Sequence, residues 1–196
     1  MFIAHRINTI KELMGIPENY GVEVDVRDYN GHLILSHEPF MSGDLLKHYM
    51  KRYKHKFIIF NIKSEKVEYE VQKIVKQYNI KNYFFLDSSF PMIYNLIALK
   101  EKNIALRFSE FEPIEPILKL SGKIKWVWVD CFKTMPLTLK KYSLLKSAKF
   151  KICIASPELQ SQEKKIIEYK KYLLENGLIP DMICTKVGNI EKWCGL

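Results

Sequence analysis

Short apolar runs of strand length alternate with amphipathic stretches from one end of the chain to the other. The strand-like runs cover 2–5, 21–27, 57–63, 83–87, 103–109, 126–131, 151–156 and 182–186. One more run, 32–36, follows the turn Tyr29-Asn30-Gly31 and predicts a hairpin strand after the second strand. Helical segments fall near 8–14, 43–53, 66–79, 90–102, 113–120, 138–148, 160–176 and 189–194. Within 66–79, Val67, Val71, Ile74, Val75 and Tyr78 repeat at helical spacing, and Asn176-Gly177 predicts a C-cap for the long helix before it. Eight strand–helix pairs predict an α/β fold, a compact (β/α)8 TIM-type barrel with the extra hairpin strand after strand 2, forming one domain over 1–196. At 196 residues its loops must be short, and a doubly wound open sheet is the competing arrangement. No glycine-rich loop follows any strand, the 8 glycines being dispersed, which argues against dinucleotide and P-loop chemistry.

The strand Gly21-Val-Glu-Val-Asp-Val-Arg27 departs from this apolar pattern. Period-two geometry sends Val22, Val24 and Val26 to one face and Glu23, Asp25 and Arg27 to the other. Charged groups on a face that a sheet buries need partners, because an unpaired buried charge is costly. A metal ion or an anionic substrate would supply one; structural ion pairs with Arg27, Arg107 or Lys63 are the plainer account. Two histidines bracket the strand, His5 in Phe2-Ile-Ala-His-Arg6 and His37 in His32-Leu-Ile-Leu-Ser-His37.

Composition narrows the field. The chain is 47% hydrophobic and 13% aromatic, which reads as globular. Its net charge of +9 raises the question of nucleic acid, but the lysines fall on helix surfaces among glutamates, and no recognition-helix or aromatic–basic strand motif is present. No nucleic-acid partner is expected, while transient contact with an anionic surface is compatible with the charge. No run approaches the roughly 20 apolar residues of a membrane span, and the N-terminus lacks a secretory pattern. Cys131, Cys153, Cys184 and Cys194 show no CxxC spacing and read as buried reduced thiols, so a cytoplasmic location is expected.

In a barrel of this class chemistry gathers at the carboxyl ends of the strands, and here those ends are polar. His5 and Arg6 end the first strand, Asn61 and Lys63 share a face of the third, and Asp87 ends the fourth. Arg107 with Ser109 and Glu110, Trp128 with Asp130, Glu158, and Thr185-Lys186 follow on later strands. Glu23, Asp25 and the Asn61 oxygen are hard ligands suited to one divalent cation, Mg²⁺ or Ca²⁺. Arg6, Lys63 and Arg107 would neutralise phosphate oxygens, and His5 and His37 would divide acid and base roles. Trp128 would line the substrate pocket, or with Trp126 simply fill the core. Asp87 reads first as an N-cap for the helix after Ser88-Ser89, and Glu110 and Glu158 are secondary candidates. His32, His48 and His55 read as surface residues.

The chain resembles the glycerophosphodiester phosphodiesterase family and its relatives, the phosphatidylinositol-specific phospholipases C and sphingomyelinases D. The resemblance rests on Ile3-Ala-His-Arg6, Gly21-Val-Glu-Val-Asp-Val-Arg27, Gly31-His-Leu-Ile-Leu-Ser-His37 and Phe60-Asn-Ile-Lys63, and extends loosely through Leu86-Asp-Ser-Ser-Phe90 and Ile179 to Thr185. It implies a TIM-type barrel with a single divalent metal, acting on a small phosphodiester that carries a neighbouring hydroxyl. It implies His5 and His37 as the acid/base pair, Arg6 and Lys63 on phosphate, and Glu23 and Asp25 on the metal. Within that family some members hydrolyse the ester and others stop at a cyclic phosphate; a barrel that binds a phosphorylated ligand without turnover is the third alternative. The chain departs from the family pattern at several points. Ile7 replaces a glycine, Asn8-Thr9 lacks its preceding acid, Asn61 replaces a third carboxylate, His37-Glu38 stands for histidine-aspartate, and Thr185-Lys186 for threonine-aspartate. Only Glu38 to Ser42 separates His37 from the next expected helix, so the insertion that caps the site in many glycerol-specific members is missing.

Overall fold

Six consecutive buried positions, Gly21 to Val26, make β2 (Gly21–Tyr29) an interior strand, and only from Arg27 onward does it meet solvent. The computed structural model describes residues 1–196, which gather into two units: Ile3–Leu99, and Lys100–Leu196 together with Met1–Phe2.

In the first unit β2 pairs in parallel with β1 (Phe2–Ala4), Ile3 against Gly21, and with β5 (Phe57–Ile62), Gly21 against Phe57 through Val26 against Ile62. β6 (Tyr83–Leu86) continues the parallel set beyond β5. Gly21 sits where these strands approach most closely, since a Cβ there would lie 2.3 Å from Ile3 Cδ1 and 3.0 Å from the Phe57 carbonyl oxygen. The outer part of β2 turns back as a hairpin with β3 (His32–Leu35), Tyr29 opposite His32. Asn30 and Gly31 have φ of 49° and 76°, the pair of positive values that a two-residue turn of this hand requires. β5 is buried at every position, as befits a parallel strand covered on both faces. Around it Phe60, Tyr83 and Phe85 pack with ring centroids 5.5 to 6.1 Å apart. Helices α1 (Ile10–Met14), α2 (Leu46–Met50), α3 (Glu68–Gln77) and α4 (Phe90–Ala98) complete this unit. Thr9 and Glu12 form a reciprocal capping box at the start of α1.

In the second unit β7 (Ala105–Phe108), β8 (Trp126–Val129), β9 (Lys151–Ala155) and β10 (Met182–Thr185) form a parallel sheet in chain order. Between and after them lie α5 (Glu115–Leu118), α6 (Leu139–Ser147), α7 (Ile166–Glu175) and α8 (Ile190–Trp193). Gly177 at φ 64° ends α7 as the Asn176-Gly177 signal predicts. The α/β class and the eight strand–helix repeats are therefore present, as is the hairpin strand after the second.

Three expectations are corrected. Residues 44–45 form a strand, β4 (Asp44–Leu45), paired with β3, so the helix expected from 43 starts only at Leu46. Tertiary contact overrides propensity here: Asp44 Oδ2 accepts the Ile10 amide at 2.6 Å, and the Gly43 backbone lies so close to Leu35 that a Cβ would stand 2.1 Å from its carbonyl oxygen. The helix expected from 160 is preceded by two 3₁₀ turns, Pro157–Gln160 and Glu163–Lys165, separated by Ser161 in the left-handed region at φ 60°. His55 is buried rather than superficial, its Nε2 paired with the Ile16 carbonyl at 2.9 Å. Cys131, Cys153 and Cys184 are buried as expected, Cys194 is exposed, and no disulfide forms. No helix is long and apolar enough to cross a membrane.

Candidate active site

Backbone bonds to β2 hold the segments that carry the candidate residues. The Glu23 carbonyl accepts the Ile7 amide at 2.9 Å, the Asp25 carbonyl accepts the Ser36 amide at 3.0 Å, and the Val26 carbonyl accepts the Lys63 amide at 2.9 Å. His5 and Arg6, His37, and Lys63 are thus each anchored beside the acidic face of one strand. Parallel register sets Asp25 directly beside Asn61.

Glu23 and Asp25 are fully buried. Glu23 Oε2 accepts the Arg6 amide at 2.7 Å and lies 3.8 Å from His5 Nε2, while Oε1 accepts the Asn61 side-chain amide at 2.9 Å. Burial, and next the Asp25 charge beside it, push the Glu23 carboxyl up to about 7, against the opposing pull of the Arg6 amide, Asn61 and Lys63. Asp25 Oδ2 accepts from Asn8 Nδ2 at 2.8 Å and lies 3.9 Å from Arg6 Nε; Asp25 Oδ1 lies 3.6 Å from Lys63 Nζ. Lys63 also reaches Asp87 Oδ2 at 3.4 Å. The structural ion pairs weighed from sequence thus exist for Lys63, joined by Arg6, while Arg27 turns instead to the His37 carbonyl at 3.0 Å.

His37 is oriented from both ring nitrogens. Arg6 donates from Nη2 to His37 Nε2 at 2.6 Å, so that nitrogen is the acceptor and Nδ1–H donates to Glu38 Oε1, also at 2.6 Å. The His37 bond, and then its charge, hold the Glu38 carboxyl below the usual range. Arg6 occupies the left-handed region at φ 54°, and Asp87 does so at 62°. Both are uncommon conformations for side-chain-bearing residues, of the kind found where a structure fixes functional groups.

His5, Arg6, Glu23, Asp25, His37, Asn61 and Lys63 are thereby brought into one network within the first unit. Asp87 corrects its expected role: Ser89 is the residue that precedes α4, and Asp87 meets Lys63 instead. Asn8, which the sequence offers only as part of the Asn8-Thr9 remnant of a family motif and not as a site residue, exchanges two bonds with Asp25. Arg107 and Trp128 lie in the second unit, where both donate to Asp130 Oδ2, Trp128 at 3.0 Å. Trp128 is nearly fully buried there. Glu158 is occupied by Ser156, Thr185 and the Lys186 amide, and Glu110 accepts the amides of residues 132–134, so both brace loops.

Glu23, Asp25 and Asn61 would offer a divalent cation oxygen donors only. Asp25 Oδ1 and Asn61 Oδ1 are both buried with no hydrogen-bond donor, an expensive arrangement that a hard cation would relieve. A bound cation would also hold Glu23 ionised. No group of three or more His, Cys, Asp or Glu side chains is placed to grip a metal. Coordination would therefore rest on two carboxylates and an uncharged amide oxygen, with solvent or substrate completing the shell. These are oxygen donors of the kind that Mg²⁺ or Ca²⁺ takes, with one charge fewer than three carboxylates would supply.

Acids, histidines and cations are thus gathered at the strand ends of an α/β fold, and comparison with solved structures finds the same fold elsewhere. The chain superposes on a protein from Agrobacterium tumefaciens assigned as a glycerophosphoryl diester phosphodiesterase, at a TM-score of 0.67 and 11% identity over 94% of this chain and 92% of that one. A glycerophosphodiester phosphodiesterase from the same organism gives 0.61 and 12% over 98% of both chains. A glycerophosphoryl diester phosphodiesterase from Parabacteroides distasonis gives 0.64 and 11% over 95% of this chain and 82% of that one. No family model and no curated protein matches the sequence.

Proposed function

We propose that this protein is a phosphoric diester hydrolase acting on a glycerophosphodiester-like or related polyol phosphodiester by His/His acid–base catalysis. The observation that carries the proposal is the Glu38–His37–Arg6 chain standing beside Glu23, Asp25 and His5. The fold shared with three such phosphodiesterases supports it, as do the eight strand–helix repeats that a (β/α)8 barrel requires.

Glu38 fixes the His37 tautomer and stabilises its imidazolium, the arrangement of a histidine base with an orienting carboxylate. Phosphate displaces the Arg6 guanidinium from His37 Nε2 and takes it as a counter-charge, freeing that lone pair. His37 then removes the proton of the attacking hydroxyl as its oxygen bonds to phosphorus. His5, 3.8 Å from Glu23 Oε2, gives a proton to the leaving alcohol oxygen as the other P–O bond breaks. Arg6 and Lys63 balance charge on the non-bridging oxygens. A divalent cation on Glu23, Asp25 and Asn61 would add Lewis-acid polarisation of the phosphoryl group.

The test is turnover of glycerophosphocholine, glycerophosphoethanolamine and bis(p-nitrophenyl) phosphate with Mg²⁺, Ca²⁺ or EDTA, in wild type, His5→Ala and His37→Ala. Metal-dependent turnover lost in both variants is expected; turnover surviving either substitution sinks the proposal. Phosphorus NMR separates a monoester product from a cyclic phosphate. Asn61 favours one second reading, a protein that binds a phosphorylated ligand without turnover, because its amide subtracts a charge from the cation site; binding with no product under any metal would select it.

A further inference from the structure

Beside Lys63 the first unit has a cavity of about 310 Å³ lined by Ile62, Lys63, Ser64, Glu65, Glu68, Asp87 and Ser89. Its lining carries three carboxylates against one ammonium and no aromatic ring. Two of the acids are engaged: Ser89 Oγ donates to Glu65 Oε2 at 3.0 Å, and Lys63 meets Asp87 at 3.4 Å. The third is not. Glu68 is only 1% exposed, yet its Oε2 is buried without a hydrogen-bond partner. As the first residue of α3 it gains from the helix dipole, but that leaves the orphaned oxygen unexplained. A buried carboxylate oxygen with no donor costs free energy that a ligand N–H would recover.

We infer that this cavity is the head-group subsite, and that it takes the primary ammonium of an amino-alcohol phosphodiester, with Glu68 as its specificity-determining residue. The inference rests on the phosphodiesterase reading, because Lys63 is the shared wall: a phosphate held by Arg6 and Lys63 places one ester arm in the cavity. Three acceptor-only groups select an arm rich in donors. A primary ammonium brings three N–H groups and a charge that the surplus of acids compensates. A trimethylammonium group brings no N–H and is recognised by aromatic faces, which this lining lacks. An apolar arm would leave the Glu68 oxygen unpaired.

The experiment has a kinetic and a binding arm, so that this inference and the catalytic reading fail separately. Wild-type kcat/KM for glycerophosphoethanolamine is expected to exceed that for glycerophosphocholine by about tenfold or more, the worth of a hydrogen bond to a charged group. Glu68→Gln should raise KM for the ethanolamine substrate and collapse the ratio toward unity, while bis(p-nitrophenyl) phosphate turnover stays at wild-type level. Glu65→Gln is the second variant, with the same direction expected should Glu68→Gln not fold. Calorimetry with O-phosphoethanolamine and with phosphocholine reads the subsite without chemistry: Glu68-dependent preference for the former is expected. Turnover without head-group preference, or a Glu68→Gln loss equal for all three substrates, overturns the inference and spares the catalytic reading. Selective binding of O-phosphoethanolamine with no turnover does the reverse. No binding and no turnover removes both.

Discussion

Asn8 and Asp25 exchange two hydrogen bonds of 2.8 Å, the Asn8 amide nitrogen reaching Asp25 Oδ2 while the Asp25 backbone N–H reaches Asn8 Oδ1. This clasp fixes both a carboxylate and the strand that bears it. Asn8→Ala is expected to destabilise the protein by about 1–3 kcal/mol, since it strips a buried carboxylate and a backbone amide of partners together. Urea unfolding at pH 7 measures it; a loss under about 0.5 kcal/mol, the range of ordinary surface changes, would show the clasp to be idle.

Glu23 makes the stability of the metal-free protein pH-dependent. Its carboxyl is raised from 4.5 to about 7 in the folded state, so the folded chain holds this proton more tightly than the unfolded one. The resulting stabilisation is complete below about 4.5 and disappears as pH rises through about 7, amounting to something on the order of 3 kcal/mol. Urea midpoints between pH 5 and 8 should fall along this course in EDTA. Glu23→Gln should flatten the fall, and a parallel decline in that variant would assign it to other groups.

Asn61 would limit the charge of the proposed cation site. In Asn61→Glu the amide donor to Glu23 is lost and a third negative charge enters a buried cluster, so thermal stability in EDTA is expected to drop. Added Mg²⁺ or Ca²⁺ should then raise the melting temperature more than in wild type. An equal or smaller rise would mean that position 61 does not face the ion.

Glu38→Gln isolates the orienting role of the carboxylate behind His37. Loss of the base itself in His37→Ala is expected to cost roughly 10²–10⁴ in kcat on bis(p-nitrophenyl) phosphate. Glu38→Gln should cost less and leave KM nearly unchanged, because the amide still accepts from Nδ1–H without stabilising the imidazolium. A KM effect alone would place Glu38 in substrate binding instead.

Much of this was legible in the residues because two periodicities coincide with chemistry. Alternation in Gly21–Arg27 puts Glu23 and Asp25 on one face, and the hairpin signal Asn30-Gly31 returns the chain so that His37 follows β3. What could not be read is how short polar side chains choose partners. Asp87 has the composition of a cap, but its left-handed backbone and the reach of Lys63 draw it into the ion network. Asn8 has no periodic signature, and its role exists only once the Ile7 amide binds the Glu23 carbonyl. His55 looks superficial among Lys54 and Lys56, yet tertiary contact with Ile16 buries it.

Gly21 gives the network a mechanical foundation. With no side chain between Ile3 and Phe57, β2 can pair with β1 on one side and β5 on the other, and these strands lead to His5, Asp25 and Asn61. A methyl group there would meet the Ile3 side chain at 2.3 Å and the Phe57 carbonyl oxygen at 3.0 Å, so that side chain and the neighbouring strand would have to yield. The order of this polar network thus begins at a residue with no functional group of its own.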